Sequence, residues 1–199
     1  MKVLVVGGTG AIGQGVVAAL SADHEVIVVS RAGDHRVDIT DPDSITRLYE
    51  SVGQLDAVTC TAGVTPFKPL PDLTRGDFLD GLGDKLLGQI ELVRQGLDRL
   101  TDGGSFTLIA GITSHDPIPT GAVAGTVSGA IEAFVRCAAI ELPRGLRINA
   151  VSPTVLEESW DAYGSSFPGY KPTPVVEVGR AFLKSVAGAQ TGQIYRVGY

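Results

Sequence analysis

The stretch VLVVGGTGAIG, residues 3–13, decides the reading of this chain. It opens inside a short apolar run, Lys2–Val6, which suits a strand buried on both faces. Gly7, Gly10 and Gly13 follow at GxxGxxG spacing, and Gly10–Leu20 continues with helical periodicity. Each glycine has a steric task in a strand–turn–helix: Gly7 permits the tight turn, Gly10 clears space for a pyrophosphate, and Gly13 lets helix and strand pack closely. The helix N-terminus adds unpaired N–H groups and a favourable dipole. The stretch therefore predicts a dinucleotide-binding loop, with Gly7, Thr9, Gly10, Ala11, Ile12 and Gly13 as candidate cofactor contacts.

The same alternation continues outward. Glu25–Ser30 (EVIVVS), Asp56–Cys60 (DAVTC), Ser105–Ala110 (SFTLIA), Arg147–Val151 (RINAV) and Gln193–Val197 (QIYRV) read as strands. Between them, helical patterns begin at Asp41 (an N-cap followed by Pro42) and run through Tyr49, then over Thr74–Leu100, 121–141 and Pro174–Val186. Crossovers long enough to hold a helix imply a parallel sheet, and right-handed crossovers put helices on both of its faces. The prediction is an α/β, Rossmann-like doubly wound parallel sheet, with residues 1–199 forming a single NAD(P)-binding domain.

Composition narrows the function. The chain has 199 residues, 44% hydrophobic and 19% charged, enough for one sizeable core. A formal net charge of −6 without a Lys/Arg cluster argues against nucleic acid as a partner. No run of about 18 apolar residues suggests a membrane span, and the MKVLVVGG start enters a strand with no signal-peptide pattern. A cytoplasmic location is expected. Cys60 and Cys137 lack CxxC spacing and read as buried small hydrophobes. Glu157, Glu158 and Asp161 have no rigid ligand spacing, so no metal is expected.

The second strand ends in VVSR, residues 28–31. An acidic side chain there would accept hydrogen bonds from ribose hydroxyls and favour NAD. Ser30 and Arg31 instead supply a hydroxyl and a guanidinium, which can hold a 2′-phosphate and stack on adenine. NADP(H) is expected ahead of NAD(H), with His35 and Arg36 close enough in sequence to extend a basic pocket.

Together VGGTGAIG (6–13), VDIT (37–40), CTAG (60–63), GSFTLIAG (104–111), AIELPRGLRINAVSP (139–153) and TGQIYRVG (191–198) resemble the short-chain dehydrogenase/reductase family over nearly the whole chain. The Gly-loop spacing is that of the family's extended or atypical branches, and the chain is shorter than typical members. The resemblance implies cofactor contacts at Asp38 and Ile39, at Thr61, Ala62 and Gly63, and near the nicotinamide at Ser152 and Pro153. It also implies a homodimer or homotetramer, assembled through the long helices at about 76–100 and 121–141.

The family's proton donor is a Tyr, followed four residues later on the same helix by a Lys. A Ser after the fourth strand orients the substrate carbonyl, and an Asn on the preceding long helix holds a water relay. With AAIEL (138–142) as anchor, these positions fall on Ala124, Ser128, Gly111 and Lys85, and none carries the family's residue. Lys85, Thr113, Ser114 and His115 are then the candidate catalytic groups, His having a suitable unperturbed pKa near 6.5. An ion pair of Lys85 with Glu91, Glu132 or Glu141, and a turn role for His115, remain open alternatives, as do Tyr163 and Tyr170 swinging in from the irregular segment 157–174. The expected function is an NADP(H)-dependent oxidoreductase acting on a small carbonyl or alcohol with a non-standard proton donor. The alternative is a catalytically inactive NADP(H)-binding or redox-sensing protein.

One helix stands apart. Gly121, Gly125, Gly129, Ala133 and Cys137 recur at i, i+4, forming a narrow small-residue face that predicts close approach to a neighbouring helix.

Overall fold

The structure is a computed structural model that describes residues 1–33 and 35–199. Six strands form one wholly parallel sheet: β1 (Lys2–Val6), β2 (Glu25–Val29), β3 (Leu55–Cys60), β4 (Leu100–Ile109), β5 (Arg147–Pro153) and β6 (Ile194–Val197), in the order β2-β1-β3-β4-β5-β6. Five of the connections' helices settle its layers: α1 (Ala11–Leu20), α2 (Pro42–Val52), α4 (Gly88–Gly96), α5 (Ala122–Ala138) and α7 (Val175–Ala187), with the short α3 (Arg75–Gly81) and α6 (Trp160–Tyr163) between them.

The strands alternate sides, and the two sets of side chains build two cores. Leu4, Val6, Phe106 and Ile148 face α2, α4 and α5, meeting Tyr49, Leu92 and Ile131. Val3, Val5, Ile109 and Val151 face α1 and α7, meeting Val16, Leu20 and Phe182. This two-sided burial explains why the strands read as unbroken apolar runs. Two hydroxyls that enter the second core pair with each other: Thr107 Oγ1 lies 2.6 Å from Ser185 Oγ, which also accepts from Asn149 Nδ2 at 3.0 Å.

Three expectations change. The helical pattern predicted over Thr74–Leu100 is one unbroken run from Arg75 to Arg99, but its winding changes: α3 passes into a π-helical turn at Leu82–Leu87, then α4, then a 3-10 turn at Leu97–Arg99. The Gly stripe of α5 does not meet a helix; it packs on the 3-10 turn Ile112–Ser114, where a Cβ on Gly125 would lie 2.8 Å from the Thr113 carbonyl oxygen. Only one cysteine is buried: Cys60 lies inside the sheet, while Cys137 is exposed at the far end of that stripe. No described helix is long and apolar enough to cross a membrane.

Candidate active site

The strand order reverses direction between β1 and β3, and a cleft opens beyond their C-terminal ends, as expected at a topological switch point. It has two lobes, of about 420 and 450 Å³, which share Gly63 and Val64.

The first lobe is lined by the Gly loop. Gly7 has φ of +82°, open to glycine, and a Cβ there would lie 2.8 Å from Ala62 N and from Thr61 Oγ1. A Cβ on Gly13 would come within 2.1 Å of the Gly7 carbonyl oxygen, so α1 starts tight against the turn. No side chain caps α1 at Gly10, leaving its first N–H groups directed at the lobe. The residues present fit a pyrophosphate: a bare backbone cradle facing an uncapped helix start.

Gly7, Thr9 and Gly10 share this lobe with Ser30, Arg31, Asp38, Ile39, Thr61, Ala62 and Gly63. Arg31 is exposed and forms no ion pair among the described residues. Asp38 is held by Thr40, which donates to its carboxylate from the backbone N at 2.9 Å and from Oγ1 at 2.7 Å; these bonds lower its pKa, and Arg31 adds a smaller pull in the same direction. Arg36 is engaged elsewhere, its Nε donating to the Gly33 carbonyl at 2.9 Å. Asp84, which the sequence reading passed over, also lines the lobe and accepts the Val64 N–H at 3.0 Å, fixing the strip where the lobes join. Its only signal was its place beside Lys85.

The second lobe brings together Ile12, Lys85, Gly111, Thr113, Ala124, Ser128 and Pro153 under an apolar cover that includes Phe67, Leu156, Tyr163 and Phe167. Lys85 stands in the π-helical turn, a distortion frequent at functional sites. Its Nζ donates to the Ala110 carbonyl at 3.2 Å, and its stem crosses Gly63 so closely that a Cβ there would lie 2.7 Å from Lys85 Cγ. Lys85 is not ion-paired with Glu91 or Glu132: Glu91 binds Arg94, and Glu132 binds Arg136 and His115. Burial without an ion-pair partner pulls the ammonium pKa from 10.5 down to about 8.

Ser114 and His115 are placed differently from the other candidates. Both turn to the buried carboxylate of Glu132, Ser114 Oγ donating at 2.8 Å and His115 Nε2 at 2.9 Å. Arg196 Nη2 donates to His115 Nδ1 at 3.0 Å, so both ring nitrogens are occupied. The turn alternative for His115 matches this arrangement; neither residue lines the second lobe. Ser152 is also withdrawn, wholly buried with its Oγ 2.6 Å from Tyr199 Oη. Ala11 lies exposed at the start of α1, outside both lobes. Tyr170 packs edge-on against Phe167 and donates to the Asp116 carbonyl at 3.2 Å, whereas Tyr163 sits at the lobe's rim.

A family model described as Enoyl-(Acyl carrier protein) reductase matches residues 4–172. The chain belongs to the short-chain dehydrogenase/reductase family. It is similar to versicolorin reductase stcU of Emericella nidulans, 33% identical over 128 residues, which are 61% of this chain and 48% of that protein. The chain spans about half the length of the curated relatives it matches. It is also similar to the protein lin1944 from Listeria innocua, with a TM-score of 0.97, 50% identity and 98% of each chain covered. A small-chain dehydrogenase solved in complex with NADPH superposes with a TM-score of 0.88, at 26% identity, covering 99% of this chain and 96% of that one.

The four positions aligned with the family's catalytic residues, Lys85 in the π-helical turn, Gly111 after β4, and Ala124 and Ser128 on α5, come from three separate parts of the fold, yet all line the second lobe. Two of them, Gly111 and Ala124, present no polar side-chain atom.

Proposed function

We propose that this protein is an NADP(H)-dependent oxidoreductase that interconverts a small carbonyl compound and its alcohol, with Lys85 holding the proton that the family's tyrosine would otherwise supply. The observation that carries the reading is the Lys85 ammonium: it lies in the π-helical turn, lines the second lobe beside the bare positions 111 and 124, and has a pKa of about 8. A group titrating near neutral pH is suited to proton transfer. When bound, the dihydronicotinamide would supply the hydride. The Gly loop and α1 would hold the pyrophosphate, Ser30 and Arg31 the 2′-phosphate, and Asp38, Ile39, Ala62 and Gly63 the adenosine. The NADPH complex of a relative with the same fold supports this choice of cofactor. We place the protein in the cytoplasm, as a homodimer or homotetramer, with exposed Leu87 and Cys137 on the helices that would meet.

A second reading, NADP(H) binding without turnover, is favoured by the bare side chains at Gly111 and Ala124. NADPH fluorescence on titration with protein, followed by its oxidation across a panel of aldehydes, ketones and enones, separates the two. Binding with turnover that Lys85→Met reduces by at least about tenfold supports the first reading. Binding with no turnover on any carbonyl leaves the second. Arg31→Glu should weaken NADPH more than NADH, and equal weakening would remove the 2′-phosphate assignment.

A further inference from the structure

Ser128 is 2% exposed, yet its Oγ forms no hydrogen bond among the described residues and lines the second lobe. The side-chain atoms buried without a partner among the described residues belong to His24 and Ser105, so the Ser128 hydroxyl is open to the lobe, whereas the nearby Thr126 donates to the Ala122 carbonyl one turn back at 2.8 Å. Ser128 instead presents its hydroxyl to the cavity. A Cβ on Gly111 would lie 3.5 Å from Ser128 Oγ, so this oxygen occupies the surroundings that a side chain at the end of β4 would fill. Lys85 Nζ reaches the same strand end from the other side, bonded to Ala110, the residue before Gly111.

The chemistry of the remaining wall is one-sided. Among the described residues, Lys85 is the only charged side chain lining the lobe, and Ile118, Val155, Leu156 and Phe167 cover the space beyond Ser128. A cationic ligand would be repelled by the Lys85 ammonium, and the four apolar side chains suit an apolar body.

We propose that Ser128 is a substrate-binding residue whose O–H donates to the carbonyl oxygen of a ketone or aldehyde with an apolar, aryl-sized body. The hydroxyl that orients the carbonyl is thereby moved from the end of β4 to α5, and Gly111 leaves room for it. This rests on the second lobe being the substrate site and does not require turnover.

Binding of acetophenone and of ethylbenzene, which has the same body without the oxygen, tests the assignment by ligand-observed NMR titration on the NADPH-loaded and free protein. Ser128→Ala should weaken acetophenone about tenfold and leave ethylbenzene within about twofold. Thr126→Val, on the same helix but outside the lobe, serves as the hydroxyl control and should change neither. The double variant Ser128→Ala/Gly111→Ser should recover the preference for acetophenone. Equal loss of both ligands, unchanged acetophenone binding in Ser128→Ala, no recovery in the double variant, or no acetophenone binding to the unmodified protein overturns the assignment. A Ser128-dependent preference in a protein that oxidises no NADPH would sink the oxidoreductase reading and leave this site standing. Turnover with unchanged KM in Ser128→Ala would do the reverse.

Discussion

Lys85 is where burial and charge compete most directly. Its stem is fixed by Gly63, whose φ of +114° and missing Cβ let the π-helical turn lie on it, and its ammonium has a carbonyl but no ion-pair partner, so desolvation outweighs the smaller opposing pulls of Cys60 and Asp84. The folded pKa of about 8 lies below the 10.5 of the unfolded group. Between those values the unfolded chain binds more protons, so this residue's contribution makes stability rise with pH from about 8 to 10.5; below 8 the full cost of holding the cation remains. Lys85→Met should therefore be more stable than the parent at pH 7, by about 1–3 kcal/mol, with the advantage shrinking at pH 9.5. Urea unfolding at the two pH values reads this directly, and an equal advantage at both would show that the charge is not the cause. If Lys85 supplies the proton, the carbonyl reduction rate falls as pH rises through about 8. None of this is visible in DKLLGQIEL as a string (residues 84–92). A lysine in a helical pattern reads equally well as half of an ion pair, and the π-helical turn that aims it inward has no periodicity of its own.

At the scale of elements, α5 shows how a pattern can be legible while its partner is not. The i, i+4 spacing correctly marks a face built for close contact, but spacing says nothing about what comes close. In the fold, the contact is the 112–114 turn, which forms one wall of the second lobe. Gly125 meets the Thr113 carbonyl, whereas a Cβ on Gly129 would find only Ser114 Cβ at 3.9 Å. Gly125→Ala should thus destabilise by about 1–3 kcal/mol through a backbone clash. Gly129→Ala should be neutral or stabilise by up to about 1 kcal/mol through helix propensity. Thermal unfolding of the pair checks the contrast; two equal shifts would mean that the stripe is not gripping the turn. Farther along α5, Glu132 gathers Ser114, His115 and Arg136, and His115 in turn meets Arg196 on β6. This network anchors the turn from behind. It also draws His115 out of the cleft, which a spacing argument centred on residues 111–116 had no means to foresee.

Across the whole molecule, the order β2-β1-β3 opens the cleft where the Gly loop and the CTAG segment lie side by side. A ligand that binds there only in the folded chain stabilises it by mass action. NADPH at 100 times its Kd should add about 2.7 kcal/mol to unfolding, raising Tm by roughly 5–10 °C for a chain of this size, and NADH at the same concentration should add less. Equal shifts from the two nucleotides in differential scanning calorimetry would contradict the role given to Arg31. The six strands, the two-sided core and the glycine turn after β1 were all legible in the sequence, because each depends on local periodicity and on glycines whose neighbours in space are also near in sequence or at a strand end. Residues 3–13 and the apolar runs determined the doubly wound sheet and the tight glycine turn into α1 by themselves. Only the tertiary structure decided which polar groups face the second lobe. That choice depends on how α5, the π-helical turn and the end of β4 converge from distant parts of the chain, and on which side chains bury their charges in other partners first.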